Sequence, residues 1–199
     1  MAGTFSTRRQ FLGGGAAAML AVTFPLPALA LTGQEAETLV NSAVADINGI
    51  ISSGASVNSM VNSFAGVFER YSDTAYVAAF ALGNSGRSAS EAQRRAFSNA
   101  FSGYLANKYG RRFNEFAGGE ITVQGSRTVN NYIEVQTLAD LPGQSPFRVD
   151  FHVSDRIGRP AFFNLIVEGV NMLISERTEI GAMLDARGGN LDALIRDLG

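Results

Sequence analysis

The hydrophobic period of this chain changes twice, and those changes constrain the fold more than any single motif. From Glu35, apolar residues recur at Leu39, Val40, Ala43, Val44, Ile47, Ile50 and Ile51, a helical core-type stripe that stops near Gly54. A second stripe runs through Val57, Met60, Val61, Phe64 and Phe68. A shorter third holds Tyr76, Val77 and Phe80 and ends at Gly83. Ser88-Ala89-Ser90-Glu91 reads as a capping box opening a long helix. The face of that helix carries Phe97, Phe101, Tyr104, Leu105, Tyr109, Phe113 and Phe116.

The period then becomes two. Ile121 and Val123 alternate with polar residues, as do Ile133 and Val135, and Phe147-Arg148-Val149-Asp150-Phe151-His152-Val153 alternates without a break. After the turn Gly158-Arg159-Pro160, the run from Ala161 to Val167 is apolar on nearly both faces, which predicts a central, covered strand. Past Glu168-Gly169 the helical period returns through Val170, Leu173, Ile174, Ile180, Met183 and Leu184. Gly188-Gly189 breaks it, and Asn190 is placed to cap a last helix with Leu191, Leu194, Ile195 and Leu198. The expected class is α+β: N-terminal helices, a four-stranded antiparallel sheet, and C-terminal helices packed on that sheet.

The first thirty residues stand apart. Thr7-Arg8-Arg9-Gln10-Phe11-Leu12 matches the twin-arginine pattern, an uncharged stretch follows to Leu26, and Pro27-Ala28-Leu29-Ala30 offers an A-x-A cleavage site. The apolar run is too short and glycine-rich for a membrane span, which needs about 20 apolar residues. The expectation is a signal peptide over residues 1–30, cut after Ala30, and one periplasmic domain over residues 31–199. Twin-arginine and Sec routes both stay open, because no basic residue near the cleavage site discourages Sec.

Removing Arg8 and Arg9 leaves 14 basic residues against 18 acidic ones, a net charge of −4 that argues against a nucleic-acid partner. The chain has no cysteine, so disulfides, thiolate metal sites and a cysteine nucleophile are excluded together. With one histidine, a zinc site is not expected. That residue, His152, shares a strand face with Arg148 and Asp150, opposite the apolar side chains. Parity therefore points it to solvent, and no Ser-His-Asp arrangement is readable. Gly13-Gly14-Gly15 belongs to the leader and is no phosphate loop. Arg70, the pair Arg94-Arg95 and the pair Arg111-Arg112 are candidates for a phosphate contact or for solvated helix faces.

A family resemblance rests on several stretches. Gly158-Arg159-Pro160-Ala161-Phe162-Phe163-Asn164-Leu165-Ile166-Val167-Glu168-Gly169-Val170-Asn171 resembles the G-K-W-x-V-x-D-V-x-I-E-G-V-S segment of MlaC-type periplasmic phospholipid-binding proteins, also described as toluene-tolerance proteins or ABC-transporter auxiliary components. Arg177 with Ile180, and the run Gly188 to Ile195, are similar to the "YRSQF…GGxDGLI" tail. Tyr76 to Gly83 resembles the apolar helix ending in "LG", and Ser90 to Phe97 the segment "TxEQRxxF". Pro160 replaces the usual Trp and Asn164 the usual Asp.

The resemblance implies a carrier without catalytic groups or cofactor, its cargo a lipid in an apolar cavity between sheet and helices, NTF2-like in outline. It implies exchange with an outer-membrane lipoprotein complex and an inner-membrane MCE/ABC transporter, a role in outer-membrane lipid asymmetry. An acyl chain of about fifteen methylenes gains roughly 12 kcal/mol on burial, so a carrier needs a deep apolar enclosure. The candidate lipid-binding residues are Phe147, Val149, Phe151, Val153, Phe163, Leu165 and Val167 from the strands. Phe97, Phe101, Tyr104 and Leu105 join them from the long helix. By themselves these residues fit close-packed core as well as cavity wall. Two further readings stay open: a hopanoid or other polycyclic cargo, and an NTF2-like enzyme, which an inward Asp or Glu would favour.

Overall fold

The computed structural model describes residues 31–112 and 118–199. The leader, and Phe113 and Phe116 of the expected aromatic face, lie outside the described residues. Helix α1 (Gly33–Ser52) begins at Thr32, whose hydroxyl caps the Glu35 N–H while the Glu35 carboxylate accepts from the Thr32 N–H at 2.9 Å. Helix α2 (Val57–Tyr71) is capped by Ser56 and α3 (Thr74–Leu82) by Asp73. Gly83, at φ 60, ends α3 in a conformation that a side chain resists.

A short helix α4 (Ser85–Ser88), not foreseen, takes up Ser88. The capping box of α5 (Glu91–Gly110) is therefore Ser90 with Gln93 rather than Ser88 with Glu91. Gly110 closes that helix against α2, where an added Cβ would lie 2.9 Å from Val61 Cα.

Strands β1 (Glu120–Val129), β2 (Tyr132–Asp140), β3 (Phe147–Ser154) and β4 (Ala161–Val167) form an antiparallel meander. A fifth strand, β5 (Val170–Asn171), is added by a two-residue turn. Two residues carry no readable alternation, so β5 was invisible in the sequence. Strand β4 is also not central, since only β5 lies beyond it. Its N-terminal edge is instead held by the α2–α3 joint, where the Asp73 N–H donates to the Phe162 carbonyl at 2.8 Å. Its apolar residues serve two faces of the sheet, split by a bulge between His152 and Val153.

Helix α6 (Met172–Asp185) packs on α3 and β4, and α7 (Leu191–Leu198) packs on α5 rather than on the sheet. The Asn190 side chain caps α7 as expected. Three apolar clusters result. One joins α3, α5, α6 and α7; one seals α1 onto the sheet through Val40, Val135, Val153 and Phe162; and a smaller one lies between α1 and α2. Asn48 fixes α1 to β1 by a reciprocal pair, accepting from the Ile121 N–H at 3.2 Å and donating to its carbonyl at 3.1 Å.

The face of β3 opposite Phe151 is not a solvent face, which corrects the placement of His152. The residue is 9% exposed, with the Tyr132 ring centroid 4.4 Å away and Phe163 at 5.9 Å. Parity placed it on the right side, but Tyr132 and Phe163 cover that side. Glu134, paired with Arg127 at 2.6 Å, lies 3.6 Å from His152 Nε2. Burial lowers the His152 pKa, outweighing the opposing pull of Glu134 and Asp150. The hydrogen bonding agrees. Asn164 Oδ1 accepts from the Leu165 and Leu173 N–H groups, which turns its NH₂ toward His152 Nδ1 at 3.4 Å. That arrangement offers Nδ1 a donor and favours the neutral ring, in the same direction as burial.

Candidate functional site

The three clusters leave a cavity of about 400 Å³ where they meet. Helix α1 contributes Ile47 and Ile51, α2 contributes Phe64, Val67 and Phe68, α3 Val77, and α5 Leu105 and Tyr109. The sheet supplies Ile121, Ala139, Phe147, Val149, Phe151, Phe162, Leu165 and Val167, and α6 supplies Met172, Leu173 and Glu176. At ~30 Å³ for a methylene-sized group, the space takes about thirteen methylenes. Filling it with an acyl chain is worth roughly 10 kcal/mol.

Seven of the eleven expected residues touch this wall: Leu105, Phe147, Val149, Phe151, Leu165, Val167, and Phe163, whose ring packs on Tyr76, Tyr132 and His152. Four do not. Phe97 and Phe101, each 1% exposed, stack on one another at 5.4 Å inside the helical cluster. Tyr104 packs beside them with its hydroxyl on Glu179. Val153, 0% exposed, is sealed beneath α1 with Ile133 and Phe162. The reason is the same on both elements. The apolar stripe of α5 is continuous, but α3 and α7 cover its start, and only Leu105 and Tyr109 reach the cavity. On β3 the Phe147 end faces open space and the Val153 end meets α1.

The sequence had also assigned Ile47 to ordinary core, yet Ile47 and Ile51 line the cavity. Nothing in a helical stripe distinguishes the two fates. The polar wall residues Gln144, Asn164 and Glu176 were missed. Glu176 alone carried a signal: a charged residue at helical spacing between Leu173 and Ile180 on an otherwise buried stripe.

Arg112 and Gln144, both exposed, mark where the cavity meets solvent. The other candidate arginines lie elsewhere. Arg70 pairs with Asp46 at 2.9 Å, Arg94 donates to the Ala89 carbonyl at 2.5 Å, and Arg95 pairs with Glu91 at 2.8 Å. Deeper in, Glu176 Oε1 accepts from Lys108 Nζ at 2.8 Å and from the Tyr109 hydroxyl, and Lys108 also meets Glu179 at 2.5 Å. Burial works against the Lys108 ammonium, but its bonds to Glu176 and Glu179 prevail and raise its pKa. Burial, aided by the bond to Glu176, likewise raises Tyr109. Burial and the bond to Glu179 push Tyr104 up to about 12. All three keep their protons near neutral pH.

A second hollow of about 570 Å³ lies between α1 and α2. It mixes Ile50, Met60 and Val67 with Asp46, Ser59, Asn62 and Arg70 and is the more open of the two, so an acyl chain there would stay wetted. Among the described residues, no helix is long and apolar enough to cross a membrane, and no group of three His, Asp or Glu residues is placed to hold a metal ion.

The fold is similar to that of the phospholipid-binding protein from Ralstonia solanacearum, solved in complex with a phospholipid. The TM-score is 0.70 at 16% identity, over 82% of this chain and 94% of that one. The family described as MlaC protein matches residues 38–199, which takes in every wall of the cavity, and the chain accordingly belongs to the MlaC family.

Proposed function

We propose that this protein is a periplasmic phospholipid carrier. It holds acyl chain in the cavity and leaves the headgroup outside, moving lipid between the outer and inner membranes with an MCE/ABC transporter and an outer-membrane lipoprotein complex. In this reading the leader is removed after Ala30 and the domain carries no cofactor. The observation that carries the proposal is the polarity of the cavity: apolar walls from every layer of the fold, with Arg112 and Gln144 at the opening. A phosphate placed there meets a guanidinium and water, while the chain is removed from water. Membership of the MlaC family, and a phospholipid complex in a protein of the same fold, support the same reading.

Delipidation tests it. A ligand bound only by the native state stabilises it by RT ln(1 + [L]/Kd), about 2.7 kcal/mol at a hundredfold excess over Kd. At 2–4 °C per kcal/mol for a domain of this size, lipid-free protein melts roughly 5–10 °C lower and recovers on addition of phospholipid vesicles. Identical melting with and without lipid would overturn the proposal.

A further inference from the structure

Glu176 is 4% exposed and lines the cavity, yet only one of its carboxylate oxygens is used by the protein. Lys108 Nζ and the Tyr109 hydroxyl both donate to Oε1. Among the described residues, Oε2 is the one buried side-chain nitrogen or oxygen that lacks a hydrogen-bond partner. A buried acceptor without a donor is costly, more so when charged, and folded proteins rarely leave one so. Lys108 spends its two bonds on Glu176 Oε1 and Glu179 Oε2, the Tyr109 hydroxyl has its one proton on Oε1, and neither group reaches Oε2. Most of the cavity wall is aliphatic or aromatic and carries no side-chain donor, and the Asn164 NH₂ is directed to His152.

We infer that Glu176 Oε2 is an acceptor subsite for the cargo, and that it takes a hydrogen-bond donor, a hydroxyl or an ammonium, carried on an otherwise apolar ligand. The inference rests on the carrier reading and adds a selectivity to it. A hydrogen-bond acceptor in the wall offers nothing to the oxygens of a phosphate or carboxylate, whereas the Arg112 guanidinium at the opening suits them. The two groups therefore orient the cargo, with its anionic end at the opening and its donor inward.

The test uses the mature protein and four twelve-carbon probes in competition with a fluorescent fatty ligand: dodecan-1-ol, dodecylamine, 1-methoxydodecane and dodecanoate. A hydrogen bond to a charged acceptor predicts that wild type binds the alcohol and the amine at least about tenfold more tightly than the ether. Dodecanoate binds with its carboxylate outward, or most weakly. Glu176→Leu brings alcohol and ether to within roughly twofold, while Glu179→Gln, which disturbs the same ion-pair cluster away from the cavity, leaves the preference unchanged. The stronger of alcohol and amine identifies the donor. Should Glu176→Leu not fold, Glu176→Gln keeps the shape and removes the charge, and the preference for the amine must fall. Equal binding of alcohol and ether by wild type, or a preference retained without Glu176, overturns the subsite and leaves the carrier standing. Binding of none of the probes overturns both.

Discussion

Replacing Val149 by tryptophan separates cavity wall from close-packed core, because Val153 supplies the matched control on the same face of the same strand. Val149 is half-buried and lines the cavity, whereas Val153 is 0% exposed beneath α1. Tryptophan adds roughly seven heavy atoms to valine and so fills about half of a space that takes about thirteen methylenes. Losing about seven methylenes of burial at ~0.8 kcal/mol each removes roughly 5–6 kcal/mol of lipid binding, about four orders of magnitude in Kd. The fold loses little, since the indole enters space that the protein does not occupy. At Val153 the same change overpacks a closed core, costing ~1–3 kcal/mol, which at 2–4 °C per kcal/mol is a melting point roughly 2–12 °C lower. The assay is lipid per mole of purified protein beside a melting curve for each variant. Val149→Trp is expected folded and nearly lipid-free, and Val153→Trp destabilised but loaded. Unfolding of Val149→Trp, or full lipid occupancy in it, would refute the assignment of the strand face.

Two further outcomes are expected. Burial lowers the His152 pKa, so as pH falls below about 6.5 the unfolded chain takes up its proton before the native state does. Stability is flat above that pH and declines below it. His152→Gln removes this part of the decline and leaves the more acidic part, where Glu134, lowered by its bond to Arg127, is finally protonated. Urea melts at pH 7.5 and 5.5 measure it, and an equal loss of stability in both proteins would contradict the lowered His152 pKa. N-terminal sequencing of protein recovered from the periplasm is expected to begin at Leu31, and any other start would displace the proposed cleavage site.

The fold was largely legible because its elements announce themselves locally. The stripes of α1, α2, α3 and α5, the alternation of β3 and the Asn190 cap all depend on residues a few positions apart. What was not legible depends on where those elements meet. The stripe through Phe97, Phe101, Leu105 and Tyr109 is uniform, yet only its second half looks onto the cavity, because α3 and α7 cover the first half. The outer sheet face read as solvent because period-two reasoning assumes one covered face. Phe163, displaced by the bulge, and Tyr132 supply a second cover. Glu176 was readable in principle, as a charge on a buried stripe, but its partner Lys108 lies 68 residues away.

The central claim is that the cavity holds lipid, and mass spectrometry of organic extracts from protein purified without detergent tests it most directly. The expected result is phospholipid in near-stoichiometric amount in the wild-type extract, sharply depleted in Val149→Trp. A polycyclic lipid in its place would correct the cargo and keep the carrier. An extract with no amphiphilic lipid, from protein that also gains no stability on exposure to vesicles, would contradict the account.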